Sequence, residues 1–308
     1  MKEKTIYALG FFDGVHLGHG ALLKECRRLA DQHGCKAGVV TFSNHPDALV
    51  LGAAPTLINS LADRDGLLKE QFHMDTVVSL PFDREMMTMP WQDFYTLLRR
   101  EYAAAGIVCG ADFCFGSRGR GNGEKLTAVC AADGIPCTVV PQLVLNGEVV
   151  SSTHIRRLIE AGRMEEAVRF LGHPHILSGR VVHGHQLGRT LGIPTANLAL
   201  PEGLVVPKFG VYACLAAVAG KKYPAVTNVG TRPTVNGAGI TVEPWILDFP
   251  GDLYEQNITL EFYKFLRPEK KFPDLTALQR EIRKNAAETR AFFQAQQGEA
   301  YENPADRR

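Results

Sequence analysis

Two histidines three residues apart, His16 and His19, sit in the segment Gly10-Phe11-Phe12-Asp13-Gly14-Val15-His16-Leu17-Gly18-His19, between a strand-like run and a helix-like one. That spacing lets two side chains share one helical face, and Gly14 and Gly18 let the backbone come close to a ligand. A helix N-terminus adds unpaired amides that suit an anion. The chemistry this fits is the holding of a phosphate group. Either histidine alone reads as part of a tight turn with a helix cap, but the pair at this place reads as a site.

Other stretches carry weaker signals of their own. Glu243 lies in Thr241–Phe249 with apolar neighbours on both sides, where a charge is costly to bury without a task, although an outward-facing strand residue fits as well. Pro244 beside it removes a ladder donor and places the run at a sheet edge or strand end. The stretch 179–198 reads as a hairpin loop rich in turn residues. Ser152 and Thr153 are ordinary helix-capping residues, and Arg156 alone is a solvated charge. The glycine-rich stretch 116–125 lacks the Gly-Lys-Ser/Thr ending of a phosphate loop and reads as a mobile loop near the first site. His173, His175, His183 and His185 have no cysteine at zinc-ligand spacing and read as solvated loop histidines.

These residues need elements to position them. Apolar runs at 6–12, 37–42, 76–80, 106–109 and 137–140 alternate with helix-like stretches, such as one carrying Leu22, Leu23, Cys26, Leu29 and Ala30 and another over 91–105. The alternation implies a parallel sheet with helices on both faces. After Leu171 short strand-like pieces dominate (178–182, 210–218, 225–228, 241–247, 258–265), as in an antiparallel barrel. A final helix over about 274–297 presents Leu275, Leu278, Ile282 and Phe293 to it. The division expected is 1–172 and 173–308.

Composition narrows the function classes. The 308 residues carry a formal charge of +1 from 34 basic and 33 acidic side chains, which gives no field for a nucleic acid or membrane partner. The N-terminal residues run straight into a strand without a signal region, and no apolar run is long enough to span a bilayer. Seven cysteines without a Cys-x-x-Cys pair fit reduced packing residues in a cytoplasmic protein.

The segment 10–19 resembles the His-x-Gly-His signature of nucleotidyltransferases, in the extended form of bacterial FAD synthetases, with Phe11 where many relatives have asparagine. Thr41–Pro46, Gly110–Gly116 and Ser151–Arg156 resemble further pieces of the same pattern. The stretch 179–198, with its Pro194-Thr195-Ala196-Asn197, is similar to riboflavin kinases, as are Gly210–Tyr212, Asn228–Thr234 and Phe265–Phe272. The whole chain therefore resembles the bacterial bifunctional riboflavin kinase/FAD synthetase (FMN adenylyltransferase) family.

The resemblance implies a Rossmann-like nucleotidyltransferase domain followed by a six-stranded Greek-key-like β-barrel with a C-terminal helix. It implies that ATP and Mg2+ convert riboflavin to FMN and FMN to FAD, in a monomer or weak homo-oligomer. For adenylylation it implies His16, His19 and Arg156 as catalytic groups, with Gly10, Phe11, Phe12, Asp13, Gly14, Gly18, His45, Pro46, Asp112, Ser152 and Thr153 at ATP. For the kinase it implies Glu243 as base and Thr195 and Asn197 as magnesium ligands. Gly179, Val181, Gly184, Gly188, Gly192 and Pro194 would meet ATP, and Arg267 the flavin. Trp245 stands where histidine or tyrosine often follows the glutamate.

Overall fold

A computed structural model describes residues 3–182, 192–234 and 237–299. The chain divides into two compact units, Met1–Ile155 with Phe170–Gly172, and Arg156–Arg169 with His173–Arg308.

In the first unit, β1 (Thr5–Leu9), β2 (Lys36–Phe42), β3 (Thr76–Leu80), β4 (Ala104–Gly110) and β5 (Cys137–Val140) form a parallel sheet in the order β3-β2-β1-β4-β5. The helices are α1 (Leu17–His33), α2 (Leu61–Glu70), α3 (Trp91–Glu101) and α4 (Gly123–Ala132). Side chains of β1 alternate between two cores. Ile6 and Ala8 join Leu22, Leu23, Cys26 and Leu29 of α1, while Tyr7 and Leu9 join Phe94 and Leu98 of α3 and Leu126 of α4. A strand buried on both faces must be apolar throughout, so polar chemistry is displaced to the loops. The chain turns to opposite sides after β1 and β4, and ligands of open α/β sheets gather at that switch point beyond the carboxyl ends.

The glycine-rich stretch is folded rather than loose. Ser117–Gly119 is a 3-10 turn and Gly121–Asn122 pairs with Cys114–Phe115. Gly123 then opens α4, whose first turn is capped by Asn122 accepting the Lys125 N–H at 3.0 Å.

Next come α5 (Ser152–Glu160), through which the division of units passes, and α6 (Met164–Leu171). The second unit's sheet comprises β6 (His175–Val182), β7 (Asn197–Ala199), β8 (Gly210–Val218), β9 (Lys221–Thr234), β10 (Gly237–Ile246) and β11 (Asn257–Pro268), six antiparallel strands in the order β7-β6-β11-β8-β9-β10. The Ala196 N–H donates to the Pro244 carbonyl at 2.9 Å, drawing the two ends of that order together into a barrel. Pro244 thus lies on an edge strand, as its missing donor requires.

The last helix, α7 (Leu275–Glu299), buries Asn285, Ala286, Thr289 and Phe293. Leu278 and Ile282 continue that stripe half-buried, but Leu275 is 64% exposed because the first turn lies beyond the packed stretch. The solvated-loop reading of His173 and His175 is also overturned. Both are buried, and His175 opens β6, whose inward positions alternate as His175, Leu177, Gly179 and Val181 in sequence, with His175 itself 0% exposed. Among the described residues no His, Cys, Asp or Glu cluster could hold a metal ion, and His183 and His185 lie outside them.

Candidate active sites

The first cavity, about 390 Å³, opens at the switch point. Leu9, Gly10 and Phe11 leave β1 on one side, Gly110 and Asp112 leave β4 on the other, and His16, Gly18 and His19 stand at the start of α1. Ser152 and Thr153 complete the wall from the first turn of α5. Two helix N-termini therefore converge on one space, and both favour an anion there.

His16 caps α1. Its Nδ1 accepts the His19 N–H at 3.3 Å, so the neutral ring carries its proton on Nε2. The His19 ring stacks on it, centroids 3.7 Å apart and 14° from parallel. Burial, with a smaller contribution from His16, holds the His19 pKa well below the ordinary value, so His19 is neutral at pH 7. Its Nδ1 is shut from solvent and has no hydrogen-bond partner among the described residues.

Phe12, Asp13 and Gly14 hold the loop instead of lining the cavity. Phe12 is fully buried in the α1 core. The Asp13 carboxylate accepts the Ile58 N–H at 2.8 Å, and its carbonyl accepts the Ser152 hydroxyl at 2.9 Å. Gly14 has φ +78°, and a Cβ there would meet Ile58 at 2.8 Å, so a side chain is excluded twice over. His45 packs edge-on against Phe11 with centroids 4.5 Å apart. Asp112 accepts from the Gln142 amide at 3.1 Å. Arg156 counts with the second unit.

A second cavity in this unit, about 680 Å³, shares Phe113 and Cys114 with the first. Its walls are largely apolar, with Phe42, Pro46, Phe82, Met86, Phe94 and Phe115, and Asp47, Thr88 and residues 116–119 also line it. Sequence reasoning singled out Pro46 but not this aromatic box. The signal available was the alternation of Phe113 and Phe115.

In the barrel, a cavity of about 380 Å³ collects Thr195, Asn228, Glu243, Trp245, Arg267 and Glu269 among its lining. Glu243 faces Asn228 across the β9–β10 pairing. Val242, Pro244 and Ile246 are buried on the other side of β10, which leaves Glu243 and Trp245 to face the cavity. Arg267 is held from α7: its Nε donates to Asn285 Oδ1 at 3.0 Å, and Glu281 lies 3.5 Å away. Neither α7 residue was legible beforehand as part of a site.

Thr195 also borders a smaller recess, about 90 Å³, with Val181, Pro194, Phe249 and Asp252. Asn197 pairs with Val182 in β7 and is not among the residues lining either space. Gly179 serves packing, since a Cβ there would lie 2.2 Å from the Ala199 carbonyl oxygen. Gly192 adopts φ +67°, while Gly184 and Gly188 lie outside the described residues. Thr195, Glu243 and Glu269 present the hard oxygen donors that a nucleotide-bound divalent cation takes.

Residues 1–154 match the family model described as FAD synthetase, and residues 171–293 the one described as riboflavin kinase. Among curated proteins, the bifunctional riboflavin kinase/FMN adenylyltransferase of Haemophilus influenzae is 35% identical, covering 92% of this chain and 93% of its own. The proteins of that name from Escherichia coli K12 (34%; 95% and 94%) and Listeria monocytogenes (33%; 94% and 92%) match over similar lengths. A crystal structure described as a macrolide-efflux protein from Streptococcus pneumoniae superposes with a TM-score of 0.85 at 29% identity, over 94% of this chain and 95% of that one. No described helix here is long and apolar enough to cross a membrane.

Proposed function

The chain belongs to the bifunctional riboflavin kinase/FMN adenylyltransferase family, and we propose that its two reactions are divided between the two units, FMN adenylylation in the first and riboflavin phosphorylation in the second. The observation that carries this reading is the pair of unlike cavities, one built on helix N-termini and imidazoles, the other on carboxylates and Arg267.

In the first unit the ATP phosphates lie over the N-termini of α1 and α5, and the FMN ring occupies the aromatic box that shares Phe113 with the phosphate cavity. An FMN phosphate oxygen attacks the α-phosphorus, the bond to the bridging oxygen breaks, and pyrophosphate leaves. No covalent enzyme intermediate is needed. Phosphoryl-type transfer depends on alignment and on neutralising charge as it develops, which His16, the neutral His19 and the helix amides supply. Asp112 suits a hydroxyl or amine donor of the nucleotide. The phosphate role of Arg156 rests on the family resemblance alone.

In the barrel, Glu243 accepts the proton of the riboflavin 5′-hydroxyl as that oxygen attacks the γ-phosphorus and ADP leaves. Arg267 and the α7 side of the cavity hold the flavin. Thr195 and Glu269, in the lining of the same cavity, would hold a magnesium ion carried by ATP, which would offset phosphate charge.

The test is direct. The chain incubated with riboflavin, ATP and magnesium should yield FMN and then FAD by chromatography, under both oxidising and reducing conditions. Absence of either product refutes the bifunctional reading.

A further inference from the structure

Arg64 of α2 is one of the largest fully buried side chains, 2% exposed, and neither reaction as described uses it. Its Nη1 donates to two carbonyls at once, Phe11 at 3.2 Å and Phe42 at 3.0 Å. Those carbonyls lie at the carboxyl ends of neighbouring parallel strands, just past β1 and at the close of β2. Thr41 Oγ1 donates to the same Phe11 carbonyl at 3.0 Å. The guanidinium carbon also lies 5.3 Å from the centre of the Phe11 ring, within cation–π range. Phe11 is thus held by its carbonyl and its ring, against which His45 also packs edge-on.

The turn that follows is strained. Phe12 and Val15 have φ of +61° and +39°, a region that bulky and β-branched residues rarely adopt. Such conformations persist where the surroundings over-determine them. Three clamps do so here: Asp13 on the Ile58 N–H, Ser152 on the Asp13 carbonyl, and Arg64 on the Phe11 carbonyl. The first two act at Asp13, between the two strained residues, and Arg64 acts on Phe11, the residue before them. Its nearest carboxylate, Asp65 at 3.3 Å, is partly exposed. A buried guanidinium is a costly way to hold two carbonyls, and the Phe11 that it holds lines the first cavity.

We propose that Arg64 is a positioning residue for adenylyl transfer, tying the Phe11 and Phe42 carbonyls together so that the Phe11 ring and the turn leading to His16 and His19 are held against the nucleotide. The inference rests on the adenylyltransferase reading of this unit. Arg64 touches no reacting atom and acts through Phe11.

Arg64→Met keeps length and removes the donors. Its kcat/KM for FMN to FAD should fall by up to about a hundred-fold, the cost of displacing reacting groups by about 1 Å, while riboflavin-to-FMN rates in the same protein stay unchanged. Arg64→Lys, which keeps the charge and one donor, should recover part of the loss. Because the effect passes through Phe11, adding Arg64→Met to Phe11→Leu should cost much less than it does in the wild-type background. A merely structural arginine would lower Tm and leave kcat/KM within twofold at temperatures where the variant is folded; that result overturns the proposal, as do additive losses. Should Arg64→Met fail to fold, the same cycle with Arg64→Lys decides by the same criterion of additivity. A wild-type chain that makes FMN but no FAD sinks the adenylyltransferase reading, and the proposal with it.

Discussion

In the α/β unit the reactive groups stand on loops and helix ends beyond a sheet buried on both faces, whereas in the barrel they stand on the strands themselves. The central strand β1 has no face to spare for polar work, since it is buried at all five positions. Chemistry is pushed past their carboxyl ends, onto a strained turn that Asp13, Ser152 and Arg64 hold in place. The edge strand β10 has a face to give: Val242, Pro244 and Ile246 pack, and Glu243 and Trp245 line the cavity. A site on clamped loops should be sensitive to residues that touch no substrate. A site on a barrel wall should answer mainly to the residues that line it.

The largest effect expected is at Glu243. Glu243→Gln keeps the shape and removes the base, which should slow FMN formation by about a hundred- to ten-thousand-fold and leave conversion of supplied FMN to FAD intact. If FAD formation from FMN falls as far, the division between units is wrong. Next comes His16→Ala combined with His19→Ala. Removing charge-stabilising donors should lower FMN-to-FAD turnover by about a hundred- to a thousand-fold without changing the kinase rate, both followed by chromatography on protein shown to be folded by its melting curve.

A smaller effect is expected on the α7 side of the barrel cavity, whose lining includes Asn285. Asn285→Ala removes the partner of the Arg267 guanidinium, and losing a hydrogen bond to a charged group costs about 1.5 kcal/mol or more. The expected readout is a rise of roughly tenfold in KM for riboflavin, with adenylylation unchanged. A fall in kcat alone would mean that Arg267 does not hold the flavin.

The smallest effect concerns stability. Burial, with a minor contribution from His173, depresses the His175 pKa to about 3 from an ordinary 6.5. The unfolded chain therefore binds a proton below pH 6.5 that the folded barrel refuses, so this contribution is intact above pH 6.5 and is lost as pH falls from there toward 3. The slope is at most about 1.4 kcal/mol per pH unit. Denaturant melts at pH 7.5, 5.5 and 4.5 should show the wild type weakening more steeply than His175→Leu. Parallel pH dependences would mean that the ring is hydrated or partnered in solution.

Much of this arrangement is legible in the sequence, because periodicity reports burial. The five parallel strands appear as continuous apolar runs and α1 as an amphipathic repeat, while its end at Gly34, with a left-handed φ of +61°, comes from the structure. The positions of His16, His19, Ser152 and Glu243 follow from motif and element together. Burial of side chains that pattern as polar is much less visible. Arg64 belongs to none of the sequence motifs, and only the convergence of two strand ends on it reveals its work. Asn285 looks like any polar helix residue until α7 is laid on the barrel. His175 reads as loop because the Gly172-His173-Pro174 punctuation hides the start of a strand. The motif residues Phe12, Asp13 and Gly14 belong to the site's scaffold, a distinction that depends on which way each side chain turns out of the strained loop.

The central claim is that each of the two reactions proceeds without the other's catalytic groups, and a mixing experiment tests it most directly. Riboflavin, ATP and magnesium are given to Glu243→Gln alone, to His16→Ala/His19→Ala alone, and to an equal mixture of the two folded proteins. The account predicts little product from the first, FMN without FAD from the second, and FAD from the mixture, as FMN released by one protein is adenylylated by the other. FAD from the histidine variant alone, or none from the mixture while each protein keeps its own half-reaction, would contradict it.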